Sequence, residues 1–341
     1  MKKIVALFCS LLMLIACNNK QQNNTNENKE TKRVEEKSLM LLGGEKQYVE
    51  ITGESDKNPV LLFIHGGPGW TETPQLRYFN SDLYKSYIVA TWDQRGSGLS
   101  YKNNPNPGNM TLAQIIADAH ELTQYLIKKY NQKKIYLAGY SWGSVVGMNL
   151  AIKYPQDYNA YIGISQVINM RYGMEASQGW VAERAKASND KETLKKLEEL
   201  KLCDNDKCKS FMACFMKQYE LVAKYNGTTF NKDIDKVEDS VLKKYDDYKN
   251  YDWNKGFEFS AGKFEKDLFA TDFTTIKKME IPVYFICGRY DWNVPAILVE
   301  EFEKNLEAPH KELFWFEKSG HGPLIEEAAK FNDIMMKNIL K

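Results

Sequence analysis

The sequence predicts an α/β fold, a doubly wound and mostly parallel sheet that carries an inserted helical cap. Three features point there. Short apolar runs alternate with amphipathic stretches, as strands buried on both faces alternate with crossover helices. Two early runs end in glycine-rich loops, at 65–69 and 93–98. Between about 168 and 270 the apolar runs disappear, and charged, helix-forming sequence takes their place. The 341 residues, 43% hydrophobic and 13% aromatic, suit one large domain with an insertion better than two independent units. A net charge of +1 leaves no electrostatic case for a nucleic-acid partner.

The chain opens on Lys2 and Lys3, followed by an almost wholly apolar run from Ile4 to Ile15. A run of about a dozen residues is too short to cross a bilayer of about 30 Å as a helix. It has the proportions of a secretory signal. Its end, Leu14-Ile15-Ala16-Cys17, resembles the lipobox of bacterial lipoproteins. That resemblance implies a signal peptide at 1–16 and lipidation of Cys17, hence a membrane partner and a place in the cell envelope outside the cytoplasm. Residues 17–38 are rich in Asn, Gln, Lys and Glu and hold one aliphatic residue, Val34; they predict a disordered tether before a domain at 39–341.

The domain opens on a predicted hairpin, Leu39–Leu42 and Gln47–Ile51 around Gly43-Gly44. Val60–Ile64 and Tyr87–Trp92 are continuous apolar strands. Thr111 to Tyr130 is a helix, with Leu112, Ile115, Ile116, Ala119, Leu122 and Leu126 at helical spacing and a Thr111/Gln114 capping box. Strand Ile135–Ala138, helix Trp142–Lys153 and strand Tyr161–Ile164 follow. The cap occupies about 168–270, and strands resume at Val283–Cys287 and Glu312–Phe316. Within the cap, Cys203, Cys208 and Cys214 have no nearby histidine and no zinc spacing, so no metal is expected. In an oxidising compartment a local disulfide fits, Cys203 with Cys208 or Cys214, while Cys287 reads as a core residue.

The motif Gly139-Tyr140-Ser141-Trp142-Gly143 falls between a predicted strand and a predicted helix. In that context it is a nucleophile elbow, a turn so tight that only glycine fits two residues either side of the serine. Ser141 is then raised at a helix N-terminus, where negative charge is favoured. The sequence holds four histidines. His65 comes too early for the order Ser, Asp, His, His120 lies in an amphipathic helix, and His310 precedes a strand at the wrong end of the sheet. His321 follows the last strand, at the carboxyl edge where sites form. Asp291, in the loop after the preceding strand, is the acid that would fix its tautomer. The strand before that offers only Ile164-Ser165-Gln166-Val167, with no carboxylate. The oxyanion hole is expected from the N–H groups of Trp142 and Gly67.

Four motifs together resemble one family: HGGPG at 65–69, DQRGSGLS at 93–100, GYSWG at 139–143 and GRYDWNVP at 288–295. They are similar to the signatures of proline iminopeptidases and their α/β-hydrolase relatives, over about residues 39 to 340. The resemblance implies the α/β-hydrolase fold and loops organised by Asp93 and Arg95. It also implies cap carboxylates that bind the free amino terminus of a short peptide, for which Glu175 and Glu183 are the candidates. Trp70, in Trp70-Thr71-Glu72, stands where the family continues with glycine and is expected to reshape the pocket. The implied reaction is acyl transfer to Ser141 and hydrolysis without metal or organic cofactor, releasing an N-terminal proline or other small residue. A carboxylic-ester hydrolase is the alternative, because the same triad cleaves both bonds. A lipoprotein that binds a ligand without turnover is the reading from another class.

Overall fold

Val60–Ile64 has no polar side chain, so as a strand it must be covered on both faces, and the structure covers it so. The structure, a computed structural model, describes residues 31–201 and 211–340. The expected signal peptide, Cys17, Cys203 and Cys208 lie outside the described residues. Among the described residues eight strands form one sheet: β1 (Val34–Leu42), β2 (Glu45–Gly53), β3 (Val60–Ile64), β4 (Ile88–Trp92), β5 (Ile135–Tyr140), β6 (Tyr158–Ile164), β7 (Val283–Gly288) and β8 (Lys311–Phe316). Their order is β1-β2-β4-β3-β5-β6-β7-β8. The hairpin pairs antiparallel with itself and with β4; every other pairing is parallel.

Alternate residues of β3 feed two cores. Beyond the short helix α2 (Gly98–Asn103), Val60, Leu62 and Ile64 pack with α3 (Leu112–Lys129) and α4 (Trp142–Lys153), through Leu122 and Val145. Leu61 and Phe63 pack with α1 (Thr73–Phe79) and the C-terminal helices, through Leu76 and Phe331. The sheet is thus doubly wound, as its sequence predicts.

Two local expectations need correction. The first strand starts at Val34, inside the expected tether, because Val34 is buried and pairs with Gly53. The polar run Glu35-Glu36-Lys37-Ser38 between apolar ends still pairs as an edge strand when the neighbouring strand supplies the ladder. The Thr111/Gln114 box is half formed. Thr111 Oγ1 accepts the Gln114 N–H at 3.2 Å, but the Gln114 side chain donates to Asp118 at 2.7 Å rather than turning back.

The insertion is helical: α5 (Met170–Ala187), α6 (Lys191–Lys201), α7 (Phe211–Lys224), α8 (Asp233–Lys244) and α9 (Trp253–Phe269). Trp180, Val181, Leu197, Leu221 and Val222 give it a small core of its own. Cys214 is disulfide-bonded, with its partner not among the described residues, and Cys287 is a free, buried thiol. No described helix is long and apolar enough to cross a membrane.

Candidate active site

Ser141 sits between β5 and α4 with φ 51° and ψ −118°, a conformation that non-glycine residues rarely hold. The turn requires its glycines. A Cβ on Gly139 would lie 2.4 Å from Gly143 O, and one on Gly143 would lie 2.2 Å from Ile64 O. The serine N–H is held by Ile164 O at 3.0 Å, which anchors the elbow to β6.

The three residues singled out for the chemistry come together. His321 Nδ1–H donates to Asp291 Oδ2 at 2.9 Å, leaving Nε2 facing Ser141 Oγ at 3.0 Å. Asp291 is buried, and its other oxygen accepts the N–H groups of Asn293 and Val294 at 3.0 and 2.9 Å. The histidine backbone is pinned at both ends, its N–H by Thr228 O at 2.7 Å and its carbonyl by Ser165 Oγ at 2.8 Å. Such an arrangement can take the serine proton and stabilise the imidazolium that results. The remaining histidines are elsewhere. His120 stacks on Tyr154 with ring centroids 3.6 Å apart, and His310 lies beside Glu312.

Gly67 and Trp142 line the same cavity as Ser141 and His321. Gly67 has φ +112°, and a Cβ there would meet backbone nitrogens at 2.8 Å. The Trp142 N–H belongs to the first turn of α4, where no intrahelical acceptor exists. Behind these two residues lies buried polar packing. His65 Nδ1–H donates to Gly66 O at 2.7 Å, and its Nε2 accepts the Gln94 N–H at 3.0 Å. Burial pulls the His65 pKa down to about 4. The Gln94 amide donates to His65 O at 3.0 Å and accepts the Trp142 indole N–H at 2.9 Å.

Asp93 accepts hydrogen bonds from Thr71, Leu99 N and Tyr248 at 2.5, 2.7 and 2.8 Å, and burial raises its pKa to about 6. It organises the loop as the resemblance implies. Arg95 acts further off. It grips Asp118 with two nitrogens at 2.9 and 3.1 Å and donates to Gly43 O and Gly108 O, tying the hairpin turn to α3.

The cavity above Ser141 encloses about 500 Å³. Met170, Met212, Phe215 and Leu242 make apolar walls, and Trp70 lines it while resting on Trp253, 4.9 Å between centroids. Glu175 and Glu183 do not reach it. Both are exposed, because α5 turns Met170, Met174, Gln178 and Val181 inward and these positions fall on the other side. The carboxylates that do line the cavity are Glu72, from the loop before α1, and Asp235, Glu238 and Asp239 from α8. Glu72 is buried, accepts the Gly66 N–H at 2.6 Å, and is pushed by burial to a pKa of about 8. Glu238 accepts from Gln75 at 3.2 Å and is also raised by burial. The one sequence signal for Glu72 was the departure from glycine after position 69.

Residues 59–328 match the family described as alpha/beta hydrolase fold. The chain is 30% identical over 313 residues to the probable aminopeptidase YbaC of Bacillus subtilis (strain 168), covering 89% of this chain and 98% of that one. It is 25% identical over 296 residues to the proline iminopeptidase of Heyndrickxia coagulans, covering 85% and 93%. A proline iminopeptidase-related protein of Thermus thermophilus has the same fold, with a TM-score of 0.63 at 20% identity over 90% of this chain and 97% of that one.

Proposed function

This chain belongs to the alpha/beta hydrolase fold family, and within it we propose a serine hydrolase of proline iminopeptidase type, which removes the N-terminal residue of short peptides. The observation that carries the reading is the unbroken hydrogen-bond chain Ser141–His321–Asp291, with both links at or below 3.0 Å. Ser141 Oγ attacks the carbonyl as its proton passes to His321 Nε2. The oxyanion is received by the N–H groups of Gly67 and Trp142. His321 returns the proton to the departing amine, and water then attacks the acyl-enzyme with His321 again as base.

The aminopeptidase half rests on charge. The cavity wall carries four carboxylates and no lysine or arginine among its described lining residues, against apolar side chains. An α-ammonium group placed between Glu72 and Glu238 would pair with charge that burial otherwise disfavours. The names borne by the relatives from Bacillus and Heyndrickxia agree with this choice.

The test is hydrolysis of a proline arylamide beside a short-chain aryl ester, by the protein and by Ser141→Ala. Arylamide turnover that needs Ser141 and a free α-amine is the expected result. Turnover of the ester alone would discard the peptidase assignment and keep the triad. Turnover undiminished in Ser141→Ala would remove the serine from the mechanism.

A further inference from the structure

We propose that Gln94, acting through His65, is a positioning residue that sets both donors of the oxyanion hole. The inference rests on the hydrolase reading above, and neither Gln94 nor His65 lines the cavity.

The peptide joining Gly66 to Gly67 is planar, with its carbonyl and N–H on opposite edges. Holding Gly66 O therefore holds the direction of Gly67 N–H. His65 Nδ1–H is the group that holds it, at 2.7 Å. An imidazole can do so only as the Nδ1–H tautomer. The backbone N–H of Gln94 enforces that form, because it donates to Nε2 at 3.0 Å and leaves Nδ1 as the ring's donor. Protonation would put two N–H groups face to face there, and burial keeps the ring neutral down to about pH 4.

The Gln94 side chain completes the link. Its amide nitrogen donates to His65 O at 3.0 Å, and its oxygen accepts the indole N–H of Trp142 at 2.9 Å. Trp142 is the residue whose backbone N–H is the second donor. Gln94 is 1% exposed, His65 2% and Trp142 1%, so none of these bonds competes with water. One buried residue thus references the loop after β3 to the turn after β5. Gly66 N–H is held separately, by Glu72 at 2.6 Å, so the loop is fixed on two sides. Donors preset toward a developing charge carry much of the acceleration in acyl transfer, and small misplacements cost heavily.

The experiment compares four whole proteins: the native chain, Gln94→Met, His65→Leu and His65→Asn. The asparagine amide nitrogen can stand where Nδ1 stands and restore the donor to Gly66 O; leucine cannot. Each is measured for its rate of fluorophosphonate labelling, its kcat and KM on whichever arylamide or ester the native chain turns over, and its Tm. We expect labelling and kcat to fall on the order of 10²-fold in Gln94→Met and His65→Leu. KM should stay within about threefold, and His65→Asn should recover at least tenfold over His65→Leu. Asparagine no better than leucine, or a folded Gln94→Met within about threefold of native, would overturn the inference. So would losses that follow Tm instead of the donor. If Gln94→Met does not fold, the histidine pair decides alone. A native protein that is not labelled at Ser141 would instead overturn the hydrolase reading on which the inference stands.

Discussion

Glu72 is a carboxyl in the wrong solvent, and its cost depends on pH. It is 4% exposed, and burial raises its pKa from 4.5 to about 8. Between those values the folded chain binds more protons than the unfolded one, so stability falls as pH rises from 4.5 through 8. Glu72→Gln removes the ionisation and keeps an oxygen for the Gly66 N–H. The variant should match the native protein below pH 4.5 and exceed it at pH 8.5 by on the order of a few kcal/mol. Denaturant melts at the two pH values check this; equal differences at both would refute it. If Glu72 receives the substrate ammonium, the same change raises KM for free-amine arylamides. Ser141, His321 and Asp291 were legible in the sequence because the chemistry demands three residue types in a fixed chain order, and four histidines left few choices. Glu72 and Glu238 were not. Glu72 faces the cavity through the path of the loop before α1, and Glu238 through the rotation of a cap helix, long-range outcomes that no local pattern around Glu175 or Glu183 encodes.

At the scale of elements, the cap is fastened to the sheet by polar bonds as well as apolar contact. Arg77 on α1 donates through Nε to Glu50 of β2 at 2.8 Å and through two nitrogens to Asp247, after α8, at 2.9 and 2.7 Å. Tyr248 reaches Asp93 at 2.8 Å, and Ser260 on α9 reaches Gly96 O at 2.8 Å. Glu50 is 5% exposed, and its charge is met by Arg77 at 2.8 Å, the Tyr48 hydroxyl at 3.1 Å and Lys37 at 3.7 Å. Arg77→Met should destabilise the protein by about 3 kcal/mol, the lower end of the cost of breaking a buried pair, because Lys37 and Tyr48 remain on Glu50. Adding Glu50→Gln should recover part of that loss. Urea titrations of the single and double variants test both statements, and a double variant less stable than the single would show that charge is not the cause. The helices were legible as a class, since charged helical sequence replaces apolar strands there. Their docking was not, because Arg77 and Asp247 are 170 residues apart and neither carries a local mark of the pairing.

For the whole molecule, the parallel strands were read from apolar runs, and β3, β5, β6, β7 and β8 lie side by side in chain order, with β4 on the other side of β3. The edge was read less well. Val34 to Ser38 looks like tether by composition, yet it pairs with Val49 to Gly53 along the hairpin. Composition measures what a segment can bury alone; an edge strand borrows its burial from a neighbour. Two proteins separate these readings, one beginning at Lys32 and the other at Leu39. The shorter one loses five strand pairs, the burial of Val34, and the 2.7 Å bridge from Glu36 to Lys129. Burying one valine is worth about 1.5–3 kcal/mol, and an exposed ion pair adds little to that. A destabilisation of about 2 kcal/mol should therefore lower the Tm of the shorter protein by roughly 3 °C relative to the longer. Its kcat/KM should be unchanged, because β2, β4 and β3 all stand between the hairpin edge and the strand that carries Ser141. Equal melting would return these residues to the tether. A loss of turnover at temperatures where both proteins remain folded would mean that the hairpin edge reaches the elbow through the sheet.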